Sequence, residues 1–389
     1  MASPRGGRAK MPPPRKSVRL FLCGDVMTGR GVDQIMAHPS DPALYEGGVA
    51  SALGYVRLAE AVSGDIARRA PPNYVWGAAL DELSRRRPDV RLVNLETSVT
   101  RSDSHVPKGI NYRMSPENAD CLSAAGIDCC ALANNHVLDW GRAGLLETLD
   151  RLAQLNIKTA GAGRNAGEAR QPAILDLPGG ARVLVFSFAS DTSGVPLDWA
   201  ARADAPGVAL LPDLTERGAA WAAAQLASFK QPRDVVVASI HWGSNWGYEV
   251  PDEQREFAHA LIDKAGISIL HGHSSHHAKA IEVYRNRLIL YGCGDFLNDY
   301  EGIEGYEEFR GDLALMYFVD VDAASGDLQA LEMTPLQIKR LQLQPASRAD
   351  VAWLAKTLDR ESAGFGARVN LEPEGTFALS WRTLGRPGG

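Results

Sequence analysis

The chain has 389 residues, of which 45% are hydrophobic and 23% are charged, a composition typical of a soluble globular protein with a large core. Its formal net charge of −6 gives no support for broad binding to phosphate backbones, so we predict no nucleic-acid partner. Its five cysteines are odd in number and lack metal-ligand spacing, which indicates a reducing compartment rather than a disulfide framework.

The amino-terminal segment, residues 1–16, contains basic residues, glycine and consecutive prolines but no apolar core. This pattern predicts a disordered arm and is not that of a secretory signal. No apolar run reaches transmembrane length, so we predict no membrane span and a cytoplasmic location. We expect one domain over residues 17–340, with an insertion near residues 38–75, and a carboxyl-terminal extension, residues 341–389, packed on the same domain.

The first predicted strand, Ser17–Cys23, is followed by Gly24 and Asp25. A carboxylate directly after a core strand lies where metal sites of α/β sheets are built, although many such aspartates only cap helices. The segment from His38 to Pro72 is rich in proline, glycine and aspartate. It resembles an insertion, and a lid over the site is one interpretation of it.

The second predicted strand, Val90–Leu95, delivers Glu96 at its carboxyl end in the same way. A plain strand end with a solvated glutamate is the alternative. In the polar loop that follows, Tyr112 and Arg113 combine an aromatic ring with a cation, which is typical of a segment that faces a substrate. Arg113 could equally be a solvated charge.

The third predicted strand, Ile127–Leu132, leads to Asn134, Asn135 and His136. Two amides and an imidazole have no obvious folding use at a strand end. A side-chain amide oxygen can ligate a metal, and the imidazole that follows can serve as an acid or orient an oxyanion.

Two further strands end in histidines. Asp234–Ile240 is followed by His241, and Ile267–Leu270 is followed by a predicted tight turn at Gly272. Four of the nine histidines then fall within seven positions, at His271, His273, His276 and His277. Imidazoles at one strand end can converge on a single ion, although a histidine-rich surface loop is the alternative.

The predicted strand Leu288–Tyr291 leads to Asp295 and to an acidic loop from Asp299 to Glu308. Two antiparallel strands, Leu313–Asp320 and Leu328–Gln337, are expected to follow, and then one helix and peripheral strands.

Five separate strand ends thus deliver metal-compatible groups. This mixture of carboxylates, an amide and imidazoles suits a pair of borderline divalent ions such as Mn, Fe or Zn. Such a pair can activate a water as a nucleophile near neutral pH.

The motifs that carry these groups are Gly-Asp-Val-Met at 24–27, Asn-Leu-Glu at 94–96, Asn-Asn-His at 134–136, His-Trp-Gly at 241–243 and Gly-His-x-x-His at 272–276. In this order they resemble the CapA/PgsA-like family of poly-γ-glutamate capsule biosynthesis proteins, which is related to the calcineurin-like metallophosphoesterases. The resemblance covers roughly residues 17–320. It implies an α/β fold, a four-layer α/β/β/α sandwich of the metallophosphoesterase type, with its site at the carboxyl ends of the strands.

The resemblance also implies two divalent metal ions bridged by Glu96. The ligands of the first ion are then Asp25, Glu96 and His276. The ligands of the second ion are then Glu96, Asn135, His241 and His273. The implied role of His136 is that of the histidine that contacts the scissile phosphate, as a general acid or a transition-state stabiliser.

Two positions near the first ion depart from these patterns. The first departs from the metallophosphoesterase pattern only, because CapA-like proteins share the gap, and the second departs from the pattern of the capsule proteins. Met27 stands where metallophosphoesterases have a histidine, so the first ion is expected to be weakly bound or absent. Asp295 stands where capsule proteins usually have an asparagine, and it could be an extra ligand or only a neighbouring carboxylate. We group Asp295 with Asn134 and Arg113 as candidates for substrate binding.

These features favour a soluble metal-dependent hydrolase that uses a metal-activated water on a phosphoester or on an amide such as a γ-glutamyl bond. The substrate is then a small molecule or a glutamyl-type compound, and the acidic loop argues against a highly anionic polymer unless the metals or Arg113 offset its charge. The alternative is a non-catalytic accessory protein of poly-γ-glutamate synthesis or export. A third interpretation is a degenerate fold in which the polar strand ends are structural. The sequence does not indicate the oligomeric state.

Overall fold

The computed structural model describes residues 16–382. The arm predicted over residues 1–16 lies, apart from Lys16, outside this range, and so do residues 383–389 of the predicted carboxyl-terminal extension. In the described range, none of the helices is both long and apolar enough to cross a lipid bilayer.

The described strands are β1 (Ser17–Val26), β2 (Val90–Leu95), β3 (Ser98–Val99), β4 (Arg113–Met114), β5 (Cys129–Ala131), β6 (Lys158–Ala160), β7 (Ala162–Gly163), β8 (Ala173–Asp176), β9 (Arg182–Ala189), β10 (Gly207–Val208), β11 (Val235–His241), β12 (Ile269–His273), β13 (Ile281–Tyr284), β14 (Arg287–Leu290), β15 (Asp295–Leu297), β16 (Leu313–Asp322), β17 (Leu328–Ile338), β18 (Leu343–Pro345), β19 (Ala367–Leu371) and β20 (Phe377–Trp381). The described α-helices are α1 (Arg30–Ile35), α2 (Leu53–Ser63), α3 (Ala79–Arg86), α4 (Asp120–Ala124), α5 (Gly141–Gln154), α6 (Ala166–Ala169), α7 (Glu216–Ala227), α8 (Asp252–Ala265) and α9 (Arg348–Ala363).

Two sheets form the centre of the fold. The first has the order β19-β20-β17-β16-β1-β2-β5-β6, with β15 beside β1 and β18 beside β17, and the second has the order β13-β14-β12-β11-β9-β8. Strands β1, β2, β5 and β6 run parallel to one another, as do β9, β11, β12 and β14. Each sheet therefore gathers several carboxyl strand ends at one edge, where α/β proteins bind their ligands.

The layers follow from the alternation of side chains along the strands. In β9, Val183 and Val185 belong to an apolar core that the two sheets share, whereas Leu184 and Phe186 pack with residues of α7 and α8. A further core joins the other face of the first sheet to α2, α3 and α5. The order of layers is helices, sheet, sheet and helices, so the predicted four-layer α/β/β/α sandwich is confirmed.

The predicted insertion contains α2, and one of its contacts with the rest of the fold is made by a buried cation. The guanidinium of Arg30 bonds both carboxylate oxygens of Asp299, at 3.1 and 2.5 Å, and both of Glu46, at 3.1 and 3.2 Å. Its central carbon lies 3.8 Å from the ring centre of Tyr55 and 4.4 Å from that of Tyr112. Arg30 therefore links the insertion, the acidic loop and the segment around Tyr112.

The segment after residue 340 adds to the edge of the first sheet. Strands β18 and β20 both pair with β17, and β19 pairs with β20. On α9, Leu354 and Leu358 belong to the core between the two sheets.

One predicted turn is a strand in the structure. The expected turn at Gly272 lies within β12, and the chain turns only at Ser274, whose φ is 104°. A Cβ atom at position 272 would lie 2.5 Å from the carbonyl oxygen of Leu290 and 2.6 Å from that of Tyr291. Glycine is therefore needed here for close backbone packing rather than for a turn.

Candidate metal centre

The two sheets bring the polar strand ends to one place. Asp25 lies near the end of β1, and Glu96 directly follows β2. His241 and His273 are the last residues of β11 and β12, and they lie opposite each other in the parallel pairing of these strands. All four side chains are buried, with Glu96 the most exposed at 2%. Groups that were predicted from separate strands thus form one buried cluster.

A buried amide, Asn94, connects the carboxyl groups of this cluster. Its Nδ2 donates to Asp25 Oδ1 at 2.7 Å and to Glu96 Oε2 at 3.2 Å. Burial, followed by the charge of Asp295, raises the pKa of Asp25 to about 7. Burial, followed by the charge of Asp25, raises the pKa of Glu96 well above its usual range. Because buried carboxylates in contact are costly without a compensating cation, their presence together suits a site that can hold a metal ion.

Asp25 belongs to two groups of three buried side chains, and in each group the potential ligand atoms lie within 4.8 Å of one another. The first group is Asp25, His241 and His273, and the second group is Asp25, His276 and Asp295. Carboxylate oxygens and imidazole nitrogens are a donor set that Mn, Fe and Zn ions accept. The residues present therefore fit divalent ions, with Asp25 common to both positions.

The histidines of the first group face each other and an amide. Nδ1 of His241 lies 2.8 Å from Nδ1 of His273, and Nε2 of His241 lies 3.1 Å from Oδ1 of Asn135. The hydroxyl of Ser239 contacts Nε2 of His273 at 2.9 Å and so orients that ring. Burial lowers the pKa of both histidines well below the usual value, so both rings are neutral at pH 7 and can ligate a metal.

In the second group, a carboxylate lies directly beside the histidine. Nδ1 of His276 lies 2.9 Å from Asp295 Oδ1, and Asn298 donates to Asp295 Oδ2 at 2.7 Å. Burial alone would lower the pKa of His276, but the charge and hydrogen bond of Asp295, together with the charge of Asp25, raise it. Asp295 reaches this position because β15 pairs in parallel with β1, with Asp295 opposite Asp25.

His136 lies beside the cluster, and contacts at the Nδ1 side of its ring, away from Glu96, fix the orientation of the ring. Its Nδ1 lies 2.6 Å from Asp139 Oδ2, and its Nε2 lies 3.8 Å from Glu96 Oε1. Lys108 Nζ forms an ion pair with the other oxygen of Asp139 at 2.7 Å, and the ring of Tyr112 meets the His136 ring edge to face at 4.5 Å. Burial lowers the pKa of His136 to about 4, against the opposing charge of Asp139. Since Nδ1 is committed to Asp139, Nε2 is the nitrogen presented to the cluster.

The other candidates for substrate binding have partners within the protein. Asn134 is fully buried, and its amide donates to Asn94 Oδ1 at 3.0 Å. The guanidinium carbon of Arg113 lies 3.9 Å from a ring centre of Trp140, and Nη1 of Arg113 bonds Asp103 at 3.0 Å. The structure therefore places Asn134 beneath the cluster and does not bring Arg113 into it.

Sequence reasoning missed the residues that support the cluster rather than form it. In the sequence, Asn94 stands out only as the first residue of the Asn-Leu-Glu motif, and Asp139 belongs to none of the five motifs. Asp139 follows His136 by three residues, a short spacing that could have suggested a carboxylate partner for the imidazole. No signal in the sequence links Lys108 to this pair, because the contact depends on the path of a long loop.

Comparisons with known proteins identify relatives of this chain. Residues 19–300 match the family model described as bacterial capsule synthesis protein PGA_cap. A probable polyglutamine synthesis accessory protein of Mycobacterium tuberculosis is 48% identical over 359 residues, which cover 92% of this chain and 94% of that protein. The PGA biosynthesis protein CapA of Bacillus subtilis is 28% identical over 278 residues, which cover 71% of this chain and 68% of that protein.

A solved chain described as a novel phosphatase from Mycoplasma pneumoniae aligns with a TM-score of 0.44 and 13% identity, over 85% of this chain and 95% of that chain. The family model covers well over half of the described residues, and the mycobacterial relative is similar along almost the whole length. The resemblance drawn from the five motifs is confirmed, and the chain belongs to the bacterial capsule synthesis protein PGA_cap family.

Proposed function

We propose that this chain is a metal-dependent hydrolase whose two divalent ions bind at the buried cluster. The observation that carries the proposal is that Asp25 is shared by two groups of potential ligands, one with His241 and His273 and one with His276 and Asp295. Mn, Fe and Zn are the ions that suit such carboxylate and imidazole donors.

The proposed ligand sets modify those implied by the family resemblance. Asp25 is the carboxylate common to both groups, and Glu96 lies against it through the shared amide of Asn94. We propose Asp295 as a ligand of the first ion, because it supplies a carboxylate beside Asp25 where Met27 offers no imidazole. Asn135 and Glu96 complete the surroundings of the second ion.

Bound divalent ions would supply a water of lowered pKa and would neutralise negative charge on the substrate. The chain's own contribution is to hold the ligands and to move a proton at Nε2 of His136. Asp139 and Lys108 keep that ring in one orientation, since both contact the side of the ring that faces away from Glu96. General acid–base groups of this kind contribute typically about 10²- to 10⁴-fold to rate.

A phosphoester and an amide such as a γ-glutamyl bond are both within the reach of this chemistry. The names of the relatives concern capsule and polyglutamine synthesis, and they favour the glutamyl amide over other amides. The same names support a second candidate function, a non-catalytic accessory protein of polyglutamate synthesis that uses the cluster for binding.

Assays with p-nitrophenyl phosphate, bis(p-nitrophenyl) phosphate and γ-glutamyl-p-nitroanilide, each with added Mn²⁺, distinguish these functions. We expect the wild-type chain to hydrolyse at least one of the three and the His136→Ala variant to be slower on it by about a hundredfold or more. If a protein that has bound its metal hydrolyses none of the three compounds, the result would favour the accessory function over the hydrolase. Equal rates in wild type and variant would assign the activity to a contaminant or remove His136 from the reaction.

We also propose a cytoplasmic location. The five cysteines, all within the described residues, are free and buried. This state supports a reducing compartment, where thiols are not oxidised to disulfides.

A further inference from the structure

A cleft of about 390 Å³ lies beside the second group of proposed ligands. It is bounded by the end of α2, the loop between β15 and β16, the end of β17 and Trp246. The rings of Trp246 and Tyr300, which form part of its wall, each lie 5.2 Å from the ring of His276. Asn298, also in the wall, donates to Asp295 at 2.7 Å. The cleft therefore adjoins the metal centre without containing any of its proposed ligands.

We call this cleft the aromatic cleft. The side chains that determine its chemistry are Trp246, Tyr300, Glu301, Tyr306, Glu307 and Lys339.

Its walls carry large apolar groups that water reaches. The rings of Trp246 and Tyr306 stack in parallel, with centres 4.2 Å apart. Tyr306 is 48% exposed, Ile303 is 42% exposed and Val62 is 65% exposed. Exposed aromatic and aliphatic side chains at the edge of a buried polar centre are typical of a site that receives the organic part of a ligand.

The guanidinium of Arg310, which also lines the cleft, is already paired with carboxylates. Arg310 bonds Asp312 through Nε at 2.7 Å and through Nη2 at 2.9 Å, and it bonds Asp350 at 2.8 Å. Its charge is therefore balanced within the protein and is not offered to a ligand.

The remaining charges are mainly negative. Glu301 accepts hydrogen bonds from the hydroxyl of Ser63 at 2.7 Å and from the backbone N–H of Leu341 at 2.8 Å. Glu307 accepts one from a backbone N–H at 3.0 Å. These donors are neutral, and within residues 16–382 no cation forms an ion pair with either carboxylate. Lys339 is the opposing charge, and it too has no ion-pair partner in the described part of the chain.

We propose that the aromatic cleft binds an alkylammonium group. Aromatic faces attract such cations, by about 0.5–2 kcal/mol for a well-placed ring, and the two glutamates add Coulomb attraction. A polyanionic chain would meet Glu301 and Glu307 instead. This proposal rests on the proposed function in one respect, because it takes the alkylammonium group to be the part of the substrate that is remote from the cleaved bond. It makes the substrate a small aminated compound rather than a long polyglutamate.

Choline and its uncharged isostere 3,3-dimethyl-1-butanol test the proposal directly, because they share a shape and differ in charge. Isothermal titration calorimetry on the full chain measures both affinities without any turnover. We expect choline to bind at least tenfold more tightly than the isostere. Equal affinities would make the cleft merely apolar, and tighter binding of glutamate than of choline would make it an anion site. Either result, or no binding of choline at tens of millimolar, overturns the proposal.

Variants that remove one charged side chain from the cleft test whether the cleft attracts a cation electrostatically. Glu307→Gln should weaken choline binding by about three- to tenfold, the scale of one charge a few ångströms away across water, and Lys339→Gln should strengthen it. Glu256→Gln, an exposed carboxylate of α8 outside the cleft, is the matched control and should change nothing. Identical affinities in the first two variants and the control would overturn the proposal.

The outcome is separable from that of the proposed function. Choline binding with no metal and no hydrolysis would retain the cleft and reject the hydrolase. Hydrolysis with no choline binding would retain the hydrolase and reject the cleft.

Discussion

Replacing Arg30 with methionine removes the buried cation that holds Asp299 and Glu46 together. The side chain of Asp299 is 0% exposed and that of Glu46 is 5% exposed, so neither carboxylate can be rehydrated without movement of the chain. Breaking a buried ion pair by removing one partner costs about 3–5 kcal/mol. The lost stacking on Tyr55 and Tyr112 adds about 0.5–2 kcal/mol. We therefore expect the free energy of unfolding to fall by at least about 3 kcal/mol.

Urea unfolding followed by circular dichroism measures this loss. With an m value of about 3 kcal/mol per molar urea, Arg30→Met should lower the midpoint by about 1 M or more. Arg368→Met is the matched control, because Arg368 bonds Asp359 through two nitrogens, both at 2.7 Å, with its side chain 63% exposed. Exposed pairs contribute little to stability because water screens their attraction, so the control should shift the midpoint by less than about 0.3 M.

A double variant tests the cause. In Arg30→Met with Asp299→Asn, one uncompensated charge is removed, and part of the lost stability should return. Equal midpoints for Arg30→Met and Arg368→Met would refute the reasoning from burial. A double variant less stable than Arg30→Met alone would refute the reasoning from orphaned charge.

Further substitutions test the proposed metal centre and the residues that support it. His136→Ala should keep the bound metal and slow turnover by about a hundredfold or more, as steady-state kinetics and elemental analysis would measure; wild-type rates would exclude it from the reaction. Asp139→Asn should also slow turnover with metal content unchanged, because the amide no longer fixes the proton on Nδ1 of His136; an unchanged rate would reduce Asp139 to a structural role. Gly272→Ala should destabilise the fold by about 1–3 kcal/mol in urea unfolding, because its Cβ would meet the Leu290 carbonyl, whereas Gly364→Ala, with open space around it, should be nearly neutral; equal effects would contradict the packing argument.

The sequence predicted the ligand-bearing strand ends because each is a local pattern, an apolar run followed by a polar group. Asp25 and Glu96 could be placed at one edge, since the parallel neighbours β1 and β2 have their carboxyl ends there. His241 ends a strand of the other sheet, so its approach to Asp25 depends on how the two sheets pack. The same logic did not reveal that Asp295 lies opposite Asp25. That contact depends on a short strand, β15, which has no periodicity of its own.

Local signals also failed where one residue type has two uses. Gly272 predicted a turn because glycine usually marks one, but here it allows close backbone packing. Arg113 was a candidate to face the substrate together with Tyr112, with a solvated charge as the alternative. Neighbouring residues of an extended chain point to opposite sides, so the two side chains have different surroundings. Tyr112 packs on His136, whereas Arg113 stacks on Trp140. The long-range contacts of Arg30 were not predictable, because both partners come from irregular segments.

Metal content tests the central claim most directly. Elemental analysis of protein purified without chelators should find about two equivalents of Mn, Fe or Zn in the wild-type chain, and at most about one in Glu96→Ala, with the circular dichroism spectrum unchanged. Wild-type protein without any transition metal, or a Glu96→Ala variant that retains the full metal content, would contradict the account.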